Sequence, residues 1–247
     1  VVKALVLGIA FLGIYDQVPL AQVGFIFILC QMEVITLVQS MGPSIEMRTI
    51  MKYEVSDRLY RDEVFILSMT IVDIFKFLAL NIVYVTIAFA LSGFEWRHFG
   101  IFYAWELLTC LTFQSFFQMV AAIGKTATEA HAIAQPIYFL FVLFNGYFVT
   151  KATVVFWMEW AIYISPLFYF INQVSVALFL DGTPRYIFSE DGEKVVNPAY
   201  LDSGQYVIDY YRFRDMQTIA VFVLLCEIIL FRVLQVVFLK KLNNPDR

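Results

Sequence analysis

The sequence alternates long runs of apolar residues with short stretches that hold most of its charges. Six such runs lie at 1–15, 21–42, 64–92, 99–123, 131–150 and 217–239. A helix needs about 20 mostly apolar residues to cross the hydrocarbon core of a bilayer. Only 15% of the residues are charged, whereas a soluble domain carries about 25%. The pattern predicts an all-α integral membrane protein with six transmembrane helices in contact with the lipid bilayer.

The first apolar run is shorter than the others. Its 15 residues would form a helix of roughly 22 Å, whereas the hydrocarbon core is about 30 Å thick. We therefore expect the first span to be truncated at its beginning.

A further apolar segment, 152–179, is long enough to span but contains Glu159, Pro166 and Asn172. Lysine and arginine are enriched on the cytoplasmic side of membrane proteins, and a six-span chain puts eight of them on one side: Arg48, Lys52, Arg58, Arg61, Lys125, Lys240, Lys241 and Arg247. The short loops on the other side hold only Arg97. This asymmetry favours a re-entrant segment at 152–179 in the outer leaflet, with both termini cytoplasmic.

The polar stretch 180–216 contains several turn-forming pairs of residues, including Asp181-Gly182 and Asn197-Pro198. Since it follows the re-entrant segment, it is predicted to form a small extracellular cap.

Neither a catalytic group nor a metal site is predicted for this chain. The two histidines, His98 and His131, fall at opposite membrane faces, so they cannot join in one metal site or triad. Gly124-Lys125-Thr126 resembles the end of a phosphate-binding loop, but Met119 stands where that loop needs glycine. A net charge of −4 also argues against nucleic acid as a partner.

Six ionisable residues within the predicted spans are candidates for a role: Glu33, Asp73, Lys76, Glu106, Glu227 and Arg232. Asp73 and Lys76 share a helical face and are predicted to pair, whereas Glu227 and Arg232 need partners on other spans. Two interpretations stay open. These groups either form salt bridges and hydrogen bonds that hold the bundle together, or take a direct part in the passage of substrate or protons.

The predicted cytoplasmic loop 43–63 carries charges of both signs with apolar residues between them. Glu54 and Arg58, and likewise Asp57 and Arg61, have the spacing of helical ion pairs. Such a helix would either lie along the membrane or bind a partner protein.

Several motifs resemble the transmembrane domain of G-subfamily ABC transporters, including the pleiotropic drug resistance branch. Residues 46–54, EMRTIMKYE, followed by Leu59-Tyr60, are similar to the family's E-R-x-x-x-x-R-E loop. Ala134-Gln135-Pro136, residues 145–148 (NGYF), and the W-x-x-W-x-x-Y-I-S-P-x-x-Y pattern of residues 157–169 follow in the family's order. The resemblance covers the whole chain.

The resemblance implies the translocation domain of an exporter for lipophilic or amphipathic compounds. The loop 43–63 would be the coupling helix, with Glu46, Arg48, Glu54, Arg58 and Tyr60 in contact with a nucleotide-binding domain. That domain would precede Val1 on the same polypeptide and bind ATP and Mg, whereas this chain would hold no cofactor. A second six-helix bundle, identical or the other half of a full transporter, would complete the alternating-access unit. The plasma membrane is the family's expected location.

By the same resemblance, substrate would bind between the second and fifth spans. The matching positions are Gln31, Met32, Ile35, Gln135, Phe139, Val142 and, near the outer gate, Tyr147. Two alternatives remain: an ATP-independent carrier or channel that uses the intramembrane charges, and a membrane subunit of a polysaccharide export or synthesis complex.

Overall fold

The fold is helical, as a computed structural model of residues 2–16, 19–180, 187–188, 194–195 and 203–242 shows. Ten α-helices occur in this part of the chain: α1 (Val2–Ala10), α2 (Pro19–Val38), α3 (Met41–Ser56), α4 (Asp62–Ser92), α5 (Phe99–Ile123), α6 (Ala127–Leu143), α7 (Glu159–Ile164), α8 (Pro166–Phe179), α9 (Ser203–Tyr211) and α10 (Gln217–Leu242). Strands β1 (Ile187–Phe188) and β2 (Lys194–Val195) form one short antiparallel pair, in which Ile187 lies opposite Val195. The predicted all-α membrane class is confirmed.

Four helical segments in the described ranges are long and apolar enough to cross a membrane: Pro19–Ser56, Glu63–Ser92, Trp96–Ile123 and Gln217–Lys241. The segment Pro19–Ser56 contains both α2 and α3, so α3 continues α2 through a short turn. Helices α1 and α6, which correspond to the first and fifth predicted spans, have 9 and 17 residues. The six-span count therefore stays a prediction.

Helix α5 lies at the centre of the bundle. It packs against α2, α3, α4, α6, α8 and α10, and its residues from Thr112 to Ala122 are all buried. Because neighbours surround it, α5 can carry polar side chains such as Gln114 and Gln118 that would be costly in contact with lipid. By contrast, α4 and α10 expose rows of large apolar side chains, as expected for helices that face lipid.

The segment predicted to be re-entrant is sharply bent. The helical stretches Phe156–Ile164 and Pro166–Phe179 meet at 85°, and the bend falls at Ser165, just before a proline at the first position of α8. Proline suits a helix start because its missing N–H has no intrahelical partner there. The Ser165 hydroxyl donates to the carbonyl of Phe141 (2.7 Å), and nearly all of α8 is buried. Such a bent pair is either a broken span or a re-entrant segment, so the re-entrant segment stays a prediction.

A tight turn follows α6. Asn145 is fully buried, and its side-chain oxygen accepts hydrogen bonds from the backbone N–H groups of Tyr147 (2.8 Å) and Phe148 (3.1 Å). Gly146 has a φ of +80°, a conformation that favours glycine. The turn ends the helix at Leu143, short of the predicted boundary at 150.

The predicted cap, 180–216, is described only in part. Helix α9 packs against α8 and α2, and Asn172 on α8 holds the segment after α9 by two hydrogen bonds with the backbone of Arg214 (2.9 and 3.0 Å). Residues 181–186, 189–193 and 196–202 lie outside the described ranges.

Candidate substrate-translocation site

Helices α2 and α6 meet through a side-chain contact. The Gln31 amide on α2 donates to the hydroxyl of Tyr138 on α6. Tyr138 is buried, because its ring packs edge-on against Phe113 and Phe117 of α5. Packing of Tyr138 on α5 therefore supports the contact between the second and fifth predicted spans.

The predicted substrate residues flank this contact. On α2, Met32 and Ile35 expose 40% and 44% of their surface. On α6, Gln135 is exposed and Phe139 exposes 63% of its surface, whereas Val142 is half-buried. Apolar groups with a few amides among them are typical of a small-molecule site. Gln31 differs from its predicted role in one respect, since its amide nitrogen is already bonded to Tyr138.

Aromatic rings stack at the end of this face where the turn after α6 lies. Tyr147 lies between two nearly parallel rings, Phe27 of α2 at 5.5 Å and Tyr211 of α9 at 5.9 Å. The Tyr211 ring stacks in turn on Phe213 at 5.1 Å. The role of Tyr147 near an outer gate stays a prediction, and the arrangement also involves α9.

Sequence reasoning missed Tyr138, Phe27 and Tyr211. Tyr138 lies three residues after Gln135, but only its burial against α5 shows that it supports Gln31 rather than facing a substrate. Tyr211 is more than 60 residues from Tyr147 in the sequence, and no local pattern relates the two.

Two of the intramembrane charges pair across the bundle, although not as predicted. Asp73 on α4 accepts a hydrogen bond from Arg232 on α10 (3.1 Å), so the predicted pairing of Asp73 with Lys76 is wrong. The ammonium of Lys76 instead lies 5.9 Å from the centre of the Phe77 ring. Gln114 donates to the same Asp73 oxygen (3.4 Å), and Arg232 also donates to Gln235 (3.2 Å). The expectation that Arg232 finds its partner on another span is confirmed.

The remaining charges differ in their surroundings. Glu33 pairs with Lys3 of α1 at 2.7 Å, a partner that the sequence reasoning missed. Glu106 is fully buried, and the Cys110 thiol donates to one of its oxygens at 3.7 Å. Within the described residues, Glu227 forms no ion pair, and one of its oxygens is buried without a hydrogen-bond partner.

A cavity of about 460 Å³ lies between α1, α2, α4 and α5. Lys3, Glu33 and Lys76 line it, together with Asn81 and Tyr84. The side chain of Asn81 is buried, and neither of its polar atoms has a hydrogen-bond partner in the described part of the chain.

The predicted coupling helix forms only in part. Helix α3 ends at Ser56, and Arg58 has a φ of +59°. Glu54 therefore pairs with the Tyr60 hydroxyl instead of the predicted Arg58, and Asp57 and Arg61 do not share a helix.

The side chains of α3 differ in their surroundings. Arg48 points inward and donates to the backbone at the end of α5. Glu46 is exposed, as are Met47, Ile50 and Tyr53, which form an apolar strip.

Comparison with known proteins gives the family. Residues 1–179 match the model of the ABC-2 type transporter family. This chain belongs to the ABC-2 type transporter family. It is a transmembrane domain of an ABC transporter, and the resemblance to the G subfamily is confirmed by its relatives.

Three relatives illustrate the similarity. The chain is 25% identical over 199 residues to ABC transporter G family member 42 of Arabidopsis thaliana, which covers 79% of this chain and 14% of that protein. It is 25% identical over 187 residues to ABC transporter G family member 3 of Dictyostelium discoideum, with 73% and 13% covered. It is also 30% identical over 116 residues to ABC multidrug transporter MDR1 of Trichophyton interdigitale, with 44% and 7% covered. The chain thus spans about a seventh of the length of the first two relatives.

Proposed function

We propose that the chain is the translocation domain of an ATP-driven exporter for lipophilic or amphipathic compounds. The observation that carries the proposal is the α2–α6 face, where exposed Met32, Ile35 and Phe139 stand beside the amide of Gln135. Flexible thioether and aromatic groups give adaptable apolar contact, and an amide orients a ligand that carries some polar groups. One relative bears the name multidrug transporter, which agrees with a cargo of this kind.

A partner bundle would complete the site. The α2–α6 face is open in a single chain, and a second copy or a homologous half, related by a two-fold axis, would enclose the substrate between two such faces. The exposed strip of Met47, Ile50 and Tyr53 on α3 would contact a nucleotide-binding domain of the same polypeptide, which binds ATP and Mg. Closure of two such domains would rock the bundles between inward-open and outward-open states.

The direction of transport and the topology follow from the same proposal. The coupling helix α3 and the basic end of α10 would be cytoplasmic, and the turn after α6 with α9 would be extracellular, in the plasma membrane. Cargo would then move from the cytoplasmic side or the inner leaflet towards the gate formed by Phe27, Tyr147 and Tyr211.

A second function is favoured by one observation. The cavity lined by Lys3, Glu33 and Lys76 would suit an ATP-independent carrier that moves protons or ions through charged groups. Asp73 and Arg232, by contrast, are bonded to each other, which supports a role in holding the bundle together for these two.

The test is transport by the full polypeptide, with its nucleotide-binding domain, in inside-out vesicles. A lipophilic fluorescent dye should accumulate in the vesicles when ATP is added, and the accumulation should stop when vanadate is added. A protonophore should leave the accumulation unchanged. Accumulation without ATP that the protonophore abolishes would reject the exporter and support the carrier.

A further inference from the structure

Arg48 bonds to the end of the central helix. Its guanidinium donates to the carbonyls of Ala121 and Ala122 (both 3.1 Å) and of Gly124 (2.8 Å). The last four carbonyls of a helix have no intrahelical partner, and a cation near that end is favoured by the helix dipole. Arginine is suited to this position because its planar guanidinium presents several donors in fixed directions. One side chain of α3 therefore satisfies three backbone acceptors at the end of α5.

An apolar contact lies one turn further along α3. Met51 is fully buried and forms a small cluster with Ala122 of α5, Ile66 of α4 and Leu239 of α10. Because residues three apart lie on the same side of a helix, Arg48 and Met51 attach one face of α3 to the end of α5. The exposed residues Met47, Ile50 and Tyr53 lie on the remaining surface.

The connection from α5 to α6, which we call the corner (residues 124–126), is stiff. A Cβ atom on Gly124 would lie 2.8 Å from the backbone nitrogen of Ala130, so the corner is tightly packed on α6. The Thr126 hydroxyl accepts from the Glu129 N–H (3.2 Å), and the Glu129 carboxylate accepts from the Lys125 N–H (2.9 Å). These reciprocal bonds resemble a capping box, which fixes the first turn of a helix.

We propose that Arg48 is the positioning residue that joins α3 to this corner, so that a displacement of α3 moves the end of α5 and the start of α6 together. Helix α6 carries Gln135 and Phe139. Motion of α3 would then reach the α2–α6 face through the Arg48 side chain and the corner. Small shifts are passed on in this way only where the intervening contacts hold their geometry. The proposal rests on the proposed function, since it concerns how ATP-driven motion reaches that face.

The first experiment measures transport and ATP hydrolysis by the full polypeptide with Arg48→Ala, Arg48→Lys and Lys52→Ala. Arg48→Ala should lower the substrate moved per ATP by roughly 10- to 100-fold, as expected when a contact remote from the site misplaces it. Arg48→Lys should retain part of the coupling, because an ammonium still donates but lacks the guanidinium fork. Lys52→Ala is the matched control, since Lys52 has the same charge, lies one turn away and is exposed. An unchanged ratio in both Arg48 variants would overturn the proposal.

The second experiment separates coupling from a merely structural role. Spin labels at Lys52 on α3 and Ile133 on α6, both exposed, report the distance between the two helices in a Cys226→Ser background, with labelled chains diluted among unlabelled ones. In the parent protein this distance should be the same without nucleotide and with ATP and vanadate. It should differ between the two states in Arg48→Ala or, should that variant not fold, in Arg48→Lys. The same distance in both states of the folded variant would refute the role of Arg48.

The two proposals can fail separately. If the parent protein moves no substrate in response to ATP, the proposed function is wrong. ATP-driven transport in the parent that persists at the same ratio in the Arg48 variants would reject only the coupling role.

Discussion

Arg232 on α10 and Asp73 on α4 are bonded at 3.1 Å, with about a tenth of each side chain exposed. The pair joins two helices whose outer surfaces face lipid, and Gln114 of α5 is also bonded to Asp73. A charge left unpaired at this depth has neither water nor a counter-ion, so both partners depend on the contact. Through these contacts α4 and α10 are bonded to each other and to the central helix.

Removing either partner should destabilise the bundle. We expect Asp73→Leu or Arg232→Met to lower the free energy of unfolding by about 3–5 kcal/mol, because each leaves one buried charge unpaired. The double variant Asp73→Leu with Arg232→Met should recover most of the loss. Thermal unfolding in detergent measures the effect, and a double variant as unstable as the sum of the two single variants would contradict it. Transport that survives in the double variant would also exclude a relay role for this pair.

Substitutions on the α2–α6 face should change selectivity. Phe139→Ala and Gln31→Ala remove, respectively, an exposed ring and the amide that is bonded to Tyr138, and each should shift the relative transport of two lipophilic cargoes while ATP hydrolysis survives. Loss of about one apolar contact changes such preferences by about 10- to 200-fold. Leu230→Ala is the control, because Leu230 is about as exposed on α10. Unchanged cargo preference in both variants would reject the assigned site.

Gly146 should tolerate no side chain. Gly146 has a φ of +80°, and a Cβ atom there would lie 2.8 Å from the Phe168 ring. Gly146→Ala should therefore cost about 1–3 kcal/mol of stability. Gly42→Ala is the matched control, because nothing lies within 4 Å of its Cβ position and alanine favours a helix. Thermal unfolding compares the two, and equal midpoints would contradict the turn geometry.

Lys151 should react with amine reagents at an unusually low pH. Burial, together with the nearby Arg214, lowers the pKa of Lys151 to about 8, whereas an exposed lysine titrates near 10.4. Its ammonium lies 4.3 Å from the centre of the Phe168 ring. As the pH rises from 7 to 9 the neutral amine becomes the main form, so labelling should rise and then level off, while that of ordinary lysines continues to increase.

The labelling experiment uses a membrane-impermeant reagent added outside intact cells, followed by peptide mass spectrometry. Lys151→Arg removes the site, and Lys52, predicted to be cytoplasmic, should stay unlabelled. Labelling of Lys52 but not Lys151 from outside would reverse the proposed topology.

The long apolar runs alone predicted the positions of α2, α4, α5 and α10, since long membrane helices depend mainly on local composition. It could not predict that Asp73 pairs with Arg232, because the distance between α4 and α10 is set by packing on α5. The ion pair expected between Glu54 and Arg58 failed for a local reason: the helix ends at Ser56, and Arg58 adopts a left-handed conformation. The stack of Phe27, Tyr147 and Tyr211 joins three distant segments, and only the fold reveals it.

The measurement that tests the central claim most directly is site-specific block of ATP-driven transport. In a Cys226→Ser background, Phe139→Cys on the α2–α6 face is compared with Leu230→Cys on the lipid-facing side of α10, each treated with a bulky thiol reagent. The account predicts that modification abolishes ATP-driven dye transport in Phe139→Cys and leaves it intact in Leu230→Cys. Equal transport in both after complete modification would contradict the claim that this face lines the translocation path.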